Sequence, residues 1–434
     1  MAFSASAFAV DVKVSGSYYA AGVYLDKTGL SEETAANNGQ STAFYFQRLR
    51  VGTELVVAPG LSLVTRFDAM ERVWGANRTP ADAAGQGSVV SNSAGTRAEN
   101  ENIAWDYAFL KYDSPIGQFR VGAMNGGTYG TVFGDSEEPR YRIKYYTPNY
   151  NGFSMTATIE KIKDDSYSIV NVDSLTVDSN VDADYTNYTL TFDYKAKSWA
   201  AGLLYTYSVD NSTRPVLDGN YKTRKHTFDP FVTAVLGPVK LQAEAIYQVG
   251  ERDYEDATAD KDIDSFGAWV DAVATFGPVY VGGTFAYAKG DVDGNDDITG
   301  DVKGGMDWSP TLIMFNEDRA RWIGEITGNG IANGFEADNF SNAYLYQLRV
   351  GIKPIEKLDV CFAASYATRD KKLDNFDKKL GWEFDLTGTY KITNNLSYML
   401  GAGYLITGDY FKGANQASEV ENNYMIINKL ALTF

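Results

Sequence analysis

The chain alternates between apolar and polar positions. Residues 344–353 place Tyr344, Tyr346, Leu348, Val350 and Ile352 on one side and Leu345, Gln347, Arg349, Gly351 and Lys353 on the other. Residues 381–391 set Trp382, Phe384, Leu386 and Tyr390 against Glu383, Asp385, Thr387, Thr389 and Lys391. Residues 44–57 set Tyr45, Leu49, Val51, Leu55 and Val57 against Arg48, Arg50 and Glu54. A period of two is the period of a β-strand, whose side chains point to opposite faces in turn. Helical stripes are few.

Two kinds of connection separate these runs. Short turns recur at Ala58-Pro59-Gly60, Pro115-Ile116-Gly117, 148–152, Ala196-Lys197-Ser198, Gly237-Pro238, Gly277-Pro278, Pro354-Ile355-Glu356 and Thr393-Asn394-Asn395. Between them lie polar stretches rich in Asp, Glu, Asn and Gly, at 26–42, 74–102, 125–139, 162–184, 210–224, 250–264, 290–342, 368–379 and 408–422. Short and long alternate strictly. In an up-and-down sheet this gathers every short turn at one end and every long loop at the other. The count predicts about 16–18 antiparallel strands, within the range of transmembrane barrels.

The faces decide between a soluble and a membrane barrel. The apolar faces turn aromatic toward the strand ends, and the opposite faces carry many Arg, Lys, Asp and Glu. A soluble sandwich has no use for so many long strands with all long loops at one end. A barrel with an apolar exterior and a polar, water-filled lumen does, and closure gives every backbone group the partner that hydrocarbon demands. The expected fold is therefore all-β: a transmembrane antiparallel up-and-down barrel, one domain over 10–434.

Composition narrows the reading further. Tyr (30), Phe (23) and Gly (41) are abundant, while Pro (11), Cys (one) and His (one) are scarce. Cys361 is alone, so neither a disulfide framework nor a Cys-based metal site is available. No run of about 18 apolar residues marks a membrane-spanning helix. A net charge of −17 argues against nucleic acid as a partner, because binding its backbone needs a basic footprint. Ala7-Phe8-Ala9 near the start is a small-x-small pattern, which reads residues 1–9 as the tail of a trimmed signal peptide.

One stretch stands out. Arg140, Arg142 and Lys144 alternate on one side of a strand, and Arg120 does the same on the strand before. Arg48, Arg50 and Arg66 share the lumen-facing phase of earlier strands. Asp135, Glu137 and Glu138 sit on the loop 125–139 between them. Folded inward, that loop would set acids against bases across a constriction and create a transverse field, strengthened by low-dielectric walls.

The run from about 105 to 155 resembles the general Gram-negative outer-membrane porin family. The residues that carry the likeness are Gly117-Gln118-Phe119, Phe133-Gly134-Asp135, the basic strand, and Tyr145-Tyr146-Thr147-Pro148-Asn149-Tyr150-Asn151-Gly152-Phe153, with Ala108 to Tyr112 upstream. The last strand, with Tyr424, Ile426, Leu430, Leu432 and Phe434 on one face, resembles the family's C-terminal assembly signature. The resemblance implies an inward-folded third long loop and a homotrimer in the bacterial outer membrane, set among lipid and lipopolysaccharide. It also implies passive diffusion of small hydrophilic solutes and ions, filtered by size and charge. The chain departs from the pattern in its shorter third loop, a ninth hairpin, and the long connection 290–342. Two other readings stay open: a substrate-specific sugar or anion channel, and a structural sleeve for a periplasmic partner. A sugar path would call for inward aromatics, and the strand phases put most of them outside.

Enzymatic chemistry has little to stand on. His226 is the single histidine and lies in a predicted strand. No acid–base carboxylate pair, phosphate-cradling loop or haem motif is distinguishable, so neither catalysis nor a cofactor is expected. Asp291, Asp293, Asn295 and Asp297 resemble half of a calcium loop but lack the later bidentate glutamate. Trp308-Ser309-Pro310 with Leu312 to Phe315 forms an apolar patch inside the long connection, expected over the barrel mouth or against a neighbouring subunit.

Overall fold

The computed structural model describes residues 11–31, 41–75, 103–127, 129–135, 138–164, 183–213, 220–291, 297–305, 308–326 and 340–434. The readings made for residues 1–9, Glu137, Asp293 and Asn295 lie outside these residues.

The strands are β1 Asp11–Leu25, β2 Thr42–Ala58, β3 Leu61–Val73, β4 Ile103–Ser114, β5 Gly117–Met124, β6 Arg140–Tyr146, β7 Phe153–Asp164, β8 Asp184–Lys195 and β9 Trp199–Asp210. They continue as β10 Tyr221–Leu236, β11 Val239–Tyr254, β12 Lys261–Phe276, β13 Val279–Ala288, β14 Ala343–Ile355, β15 Leu358–Arg369, β16 Lys379–Lys391, β17 Leu396–Thr407 and β18 Asn423–Thr433. One short helix, α1 (Glu317–Ile323), lies between β13 and β14. Each strand pairs antiparallel with its neighbours in sequence, and β1 pairs with β18, so the 18 described strands form one closed sheet. This settles the strand count at the upper end of the expected range. The connection expected at 250–264 is shorter than the reading, because β11 and β12 extend into it and leave only 255–260 between them.

The β1–β18 seam runs over nine facing pairs, from Leu25–Met425 to Ser17–Thr433, and continues to Phe434. The Gly16 amide donates to the Phe434 carbonyl at 2.8 Å, and the Phe434 amide returns the bond to the Gly16 carbonyl at 3.0 Å. The Phe434 ring lies where a side chain on residue 16 would be, 2.6 Å from an ideal Cβ. Only glycine fits there.

The exterior is apolar. Leu348 (74% exposed), Trp105 (64%), Ile143 (52%) and Leu400 (52%) all point outward. Aromatic pairs line both ends of this face. Phe153, Tyr194 and Trp199 adjoin near the short turns, with ring centroids 4.5 and 5.1 Å apart. Tyr45–Trp74 and Tyr287–Tyr344 stack near the long loops. Such amphipathic rings suit the boundary between hydrocarbon and water.

The buried hydrophobic core lies inside the barrel. Leu25, Phe46, Leu345, Leu405 and Met425 face inward from β1, β2, β14, β17 and β18, and each is nearly or fully buried. The cover is residues 308–326 and Phe340, whose Ile313, Met314 and Phe315 are also buried. One sector of the lumen is therefore packed, and the patch at 308–315 fills the barrel instead of sitting over its mouth or on a neighbour.

Gly16→Val should prevent closure, since the new methyls would strike both the Phe434 ring and the Arg50 carbonyl. The expected result is loss of the heat-modifiable, fast-migrating form on gels, with Gly388→Val, whose added Cβ meets nothing within 4 Å, as the tolerated control.

Candidate functional site

The third long loop enters the lumen because its strands stop early. β5 and β6 have 8 and 7 residues, whereas β2 has 17. The chain leaves the wall partway up, and inward side chains of β6 take over the backbone groups it frees. Arg142 donates to the Met124 and Glu138 carbonyls, and Lys144 donates to the Gly126 carbonyl at 2.8 Å.

The tip is anchored on another part of the wall. Glu244 of β11 accepts the Thr131 amide at 2.9 Å, the Gly134 amide at 3.2 Å and the Thr131 hydroxyl. Glu244 is 3% exposed, so these donors replace its water shell. A Cβ at residue 134 would collide with the same carboxylate, which explains the glycine of the Phe-Gly-Asp run. Tyr129 packs edge-on against Phe231 of β10. Burial, and then the nearby Asp193, push its phenol above the usual range.

The long connection 290–342 uses the same device. Glu383 of β16 is fully buried and accepts the Ile313 amide at 2.5 Å and the Met314 amide at 2.8 Å. Gln347 of β14 donates to the Pro310 carbonyl at 2.6 Å. Helix α1 starts on an Asn316 cap that accepts the Arg319 amide. It is tied to the wall by Asp318–Lys429 at 2.5 Å and Arg321–Glu71 at 2.8 Å, and by Trp322 stacked on Phe46.

The two inward segments meet in an aromatic clasp. Phe133, from the third loop, sits edge-on to Trp308 and Phe340, with centroids 5.7 and 6.4 Å away, and is completely buried.

Beside these two segments, inside the barrel, lies a cavity of about 1190 Å³. Asp135, Glu138, Arg142 and Lys144 border it, together with Arg321 and Glu317 of α1 and the inner wall of β7 to β11. The other basic residues named from the sequence stand apart from this opening and pair along the wall. Arg50 makes two bonds to Asp68 at 2.7 and 2.8 Å, Arg66 meets Asp106 at 2.9 Å, and Arg48 lies 3.6 Å from Glu71. Arg120 bonds Gln118 at 2.6 Å and lies over the Tyr146 ring. Arg140 pairs with Glu138 beside it, and Arg142 with Glu160 of β7.

No sequence signal gives Glu244, Glu160 or the polar-face Glu383 a role at the site. Strand phase places them in the lumen, but nothing local separates an anchoring carboxylate from an ordinary wall acid. Among the described residues, no three His, Cys, Asp or Glu side chains gather to hold a metal. Asp291 accepts the Thr299 amide and Asp297 the Asp262 amide. His226 lies between the Tyr205 and Tyr207 rings and bonds the Tyr205 hydroxyl at 2.8 Å.

Glu244→Ala should release the third loop, since leaving its buried donors without an acceptor costs about 3 kcal/mol. The barrel should still fold, while residues 129–135 become cleavable by protease. Unchanged protection would show that the clasp alone holds the loop.

No family model matches the sequence, and no curated protein does. Solved structures match over nearly the whole chain. Pseudomonas aeruginosa OccK2 (OpdF), solved in complex with glucuronate, superposes with a TM-score of 0.55 at 10% identity, covering 97% of both chains. OccK9 (OpdG) of the same organism gives 0.54 at 14%, covering 97% of this chain and 99% of its own. OccK8 (OprE) gives 0.53 at 13%, covering 98% of each. With its 18-stranded closed wall and a third loop drawn inside, the chain has the porin fold.

Proposed function

We propose that the chain is an outer-membrane porin, a water-filled channel through which small hydrophilic solutes and ions diffuse passively. One observation carries the reading: a cavity of about 1190 Å³, bordered by charged and hydroxylated side chains, persists inside a barrel whose outer face is apolar. A barrel of this strand number is too wide for its wall side chains to fill. Here the loops occupy part of the interior and leave part open. The packed sector beneath residues 308–326 counts against a sleeve, which would keep its lumen for another chain.

The selective residues are proposed as follows. Asp135 and Glu138 form the acidic side of the constriction, and Arg142 and Lys144 the basic side nearest the opening. Arg48, Arg50, Arg66, Arg120 and Arg140 shape the potential of the wall around it. Pairing with Asp68, Asp106 and Glu71 keeps the first three from acting as a free positive patch. The domain is read as a single barrel over 10–434, assembling as a homotrimer among lipid and lipopolysaccharide. Support for the trimer is the likeness of residues 105–155 to porins.

Folded protein in planar bilayers should give stepwise conductance in potassium chloride, and its absence would overturn the channel reading. Under a salt gradient, Lys144→Glu should move the reversal potential toward cation preference, with Lys144→Gln between it and the parent. An unmoved potential would remove Lys144 from the filter.

A further inference from the structure

We infer that the open side of the lumen carries a hydrogen-bonding ramp that favours uncharged polyhydroxylated solutes, such as open-chain polyols and monosaccharide-sized sugars. The inference rests on the channel reading and names the solute class for the same opening.

The ramp emerges from strand register. Lys144 stands opposite Thr158, Thr158 opposite Thr189, Thr189 opposite Thr206, Thr206 opposite Thr227, and Thr227 opposite Gln248. Directly opposed residues share a face, and all of these border the cavity. Five consecutive strands thus present an unbroken row of neutral hydroxyl and amide groups. Lys144 heads the row, and further charges stand in the rows beside it. One holds Arg142, Glu160 and Lys225, and the other Asp229.

Its chemistry suits hydroxylated solutes. A threonine hydroxyl donates one bond and accepts others, so it can answer either end of a solute O–H. Thr189 and Thr206 already bond each other at 2.8 Å, with either able to donate, so the row can reorient without losing its internal bonds. At the end of the row, Gln248 borders the cavity with an amide, a group that can both donate and accept.

The geometry runs the row obliquely up the wall. Adjacent strands lie about 4.8 Å apart, so the five groups span roughly 19 Å. Strands in such barrels tilt by about 40°, so a row perpendicular to them climbs roughly 12 Å along the axis. A polyol moving along it exchanges water for wall hydroxyls step by step. An ether of the same size cannot return donors to the threonine oxygens and leaves them unpaired.

Liposome swelling tests the inference, with potassium chloride conductance as the control for the channel itself. Wild-type protein should admit sorbitol faster than a glycol ether of equal hydrodynamic radius. Replacing Thr189, Thr206 and Thr227 together by Val keeps the branched shape and removes the hydroxyls. The sorbitol-to-ether ratio should then fall about threefold or more, while conductance persists. The matching Ser variant should keep the ratio. Rates ordered by size alone in the wild type, or a Val barrel with the parental ratio, would overturn the ramp and leave the channel standing. Absence of both swelling and conductance in the wild type would overturn the channel. Should the triple Val barrel fail to fold, the single Thr206→Val variant and the wild-type ratio decide.

Discussion

A backbone amide withdrawn from water must find an acceptor, and the whole molecule is arranged around that requirement. In the wall, the closed ladder satisfies it, down to the reciprocal pair between Gly16 and Phe434. In the lumen no ladder is available. Two carboxylates on widely separated strands, Glu244 and Glu383, supply the acceptors instead. Without them, the third loop and the 308–326 segment would leave buried donors unpaired. The aperture is therefore defined by where two wall carboxylates stand, as much as by the loops that bear its lining.

The inner charges form a set of local pairs. Arg50 with Asp68, Arg66 with Asp106 and Arg142 with Glu160 are all neighbours on the wall. Asp135, Glu138, Arg142, Lys144 and Arg321 are among the charges that border the opening. Beside the opening the pairing is equally local, since Glu138 reaches Arg140 from two residues away.

The barrel was legible because its two signals are local. Alternation such as Tyr344 to Ile352 declares a strand and its outward face. Turn residues such as Ala58-Pro59-Gly60 declare one end of the sheet. The inward course of 125–139 was legible only through likeness to a family pattern. The site's supports were not, because they depend on partners far apart in sequence. Glu383 reads as one more lumen acid until residues 313 and 314 are seen to meet it, some 70 positions away. The threonine row is hidden for a related reason. Its members come from separate strands, and only the register aligns them.

The clasp of Phe133, Trp308 and Phe340 has a mechanical consequence. Two loops that share a dry core cannot flutter independently, because either one leaving would strip apolar surface from the other. Packed interfaces of this kind switch between discrete arrangements instead of deforming gradually. The rim of the opening thus behaves as one rigid body made from two distant stretches of chain, and changes in the length of one are constrained by the shape of the other.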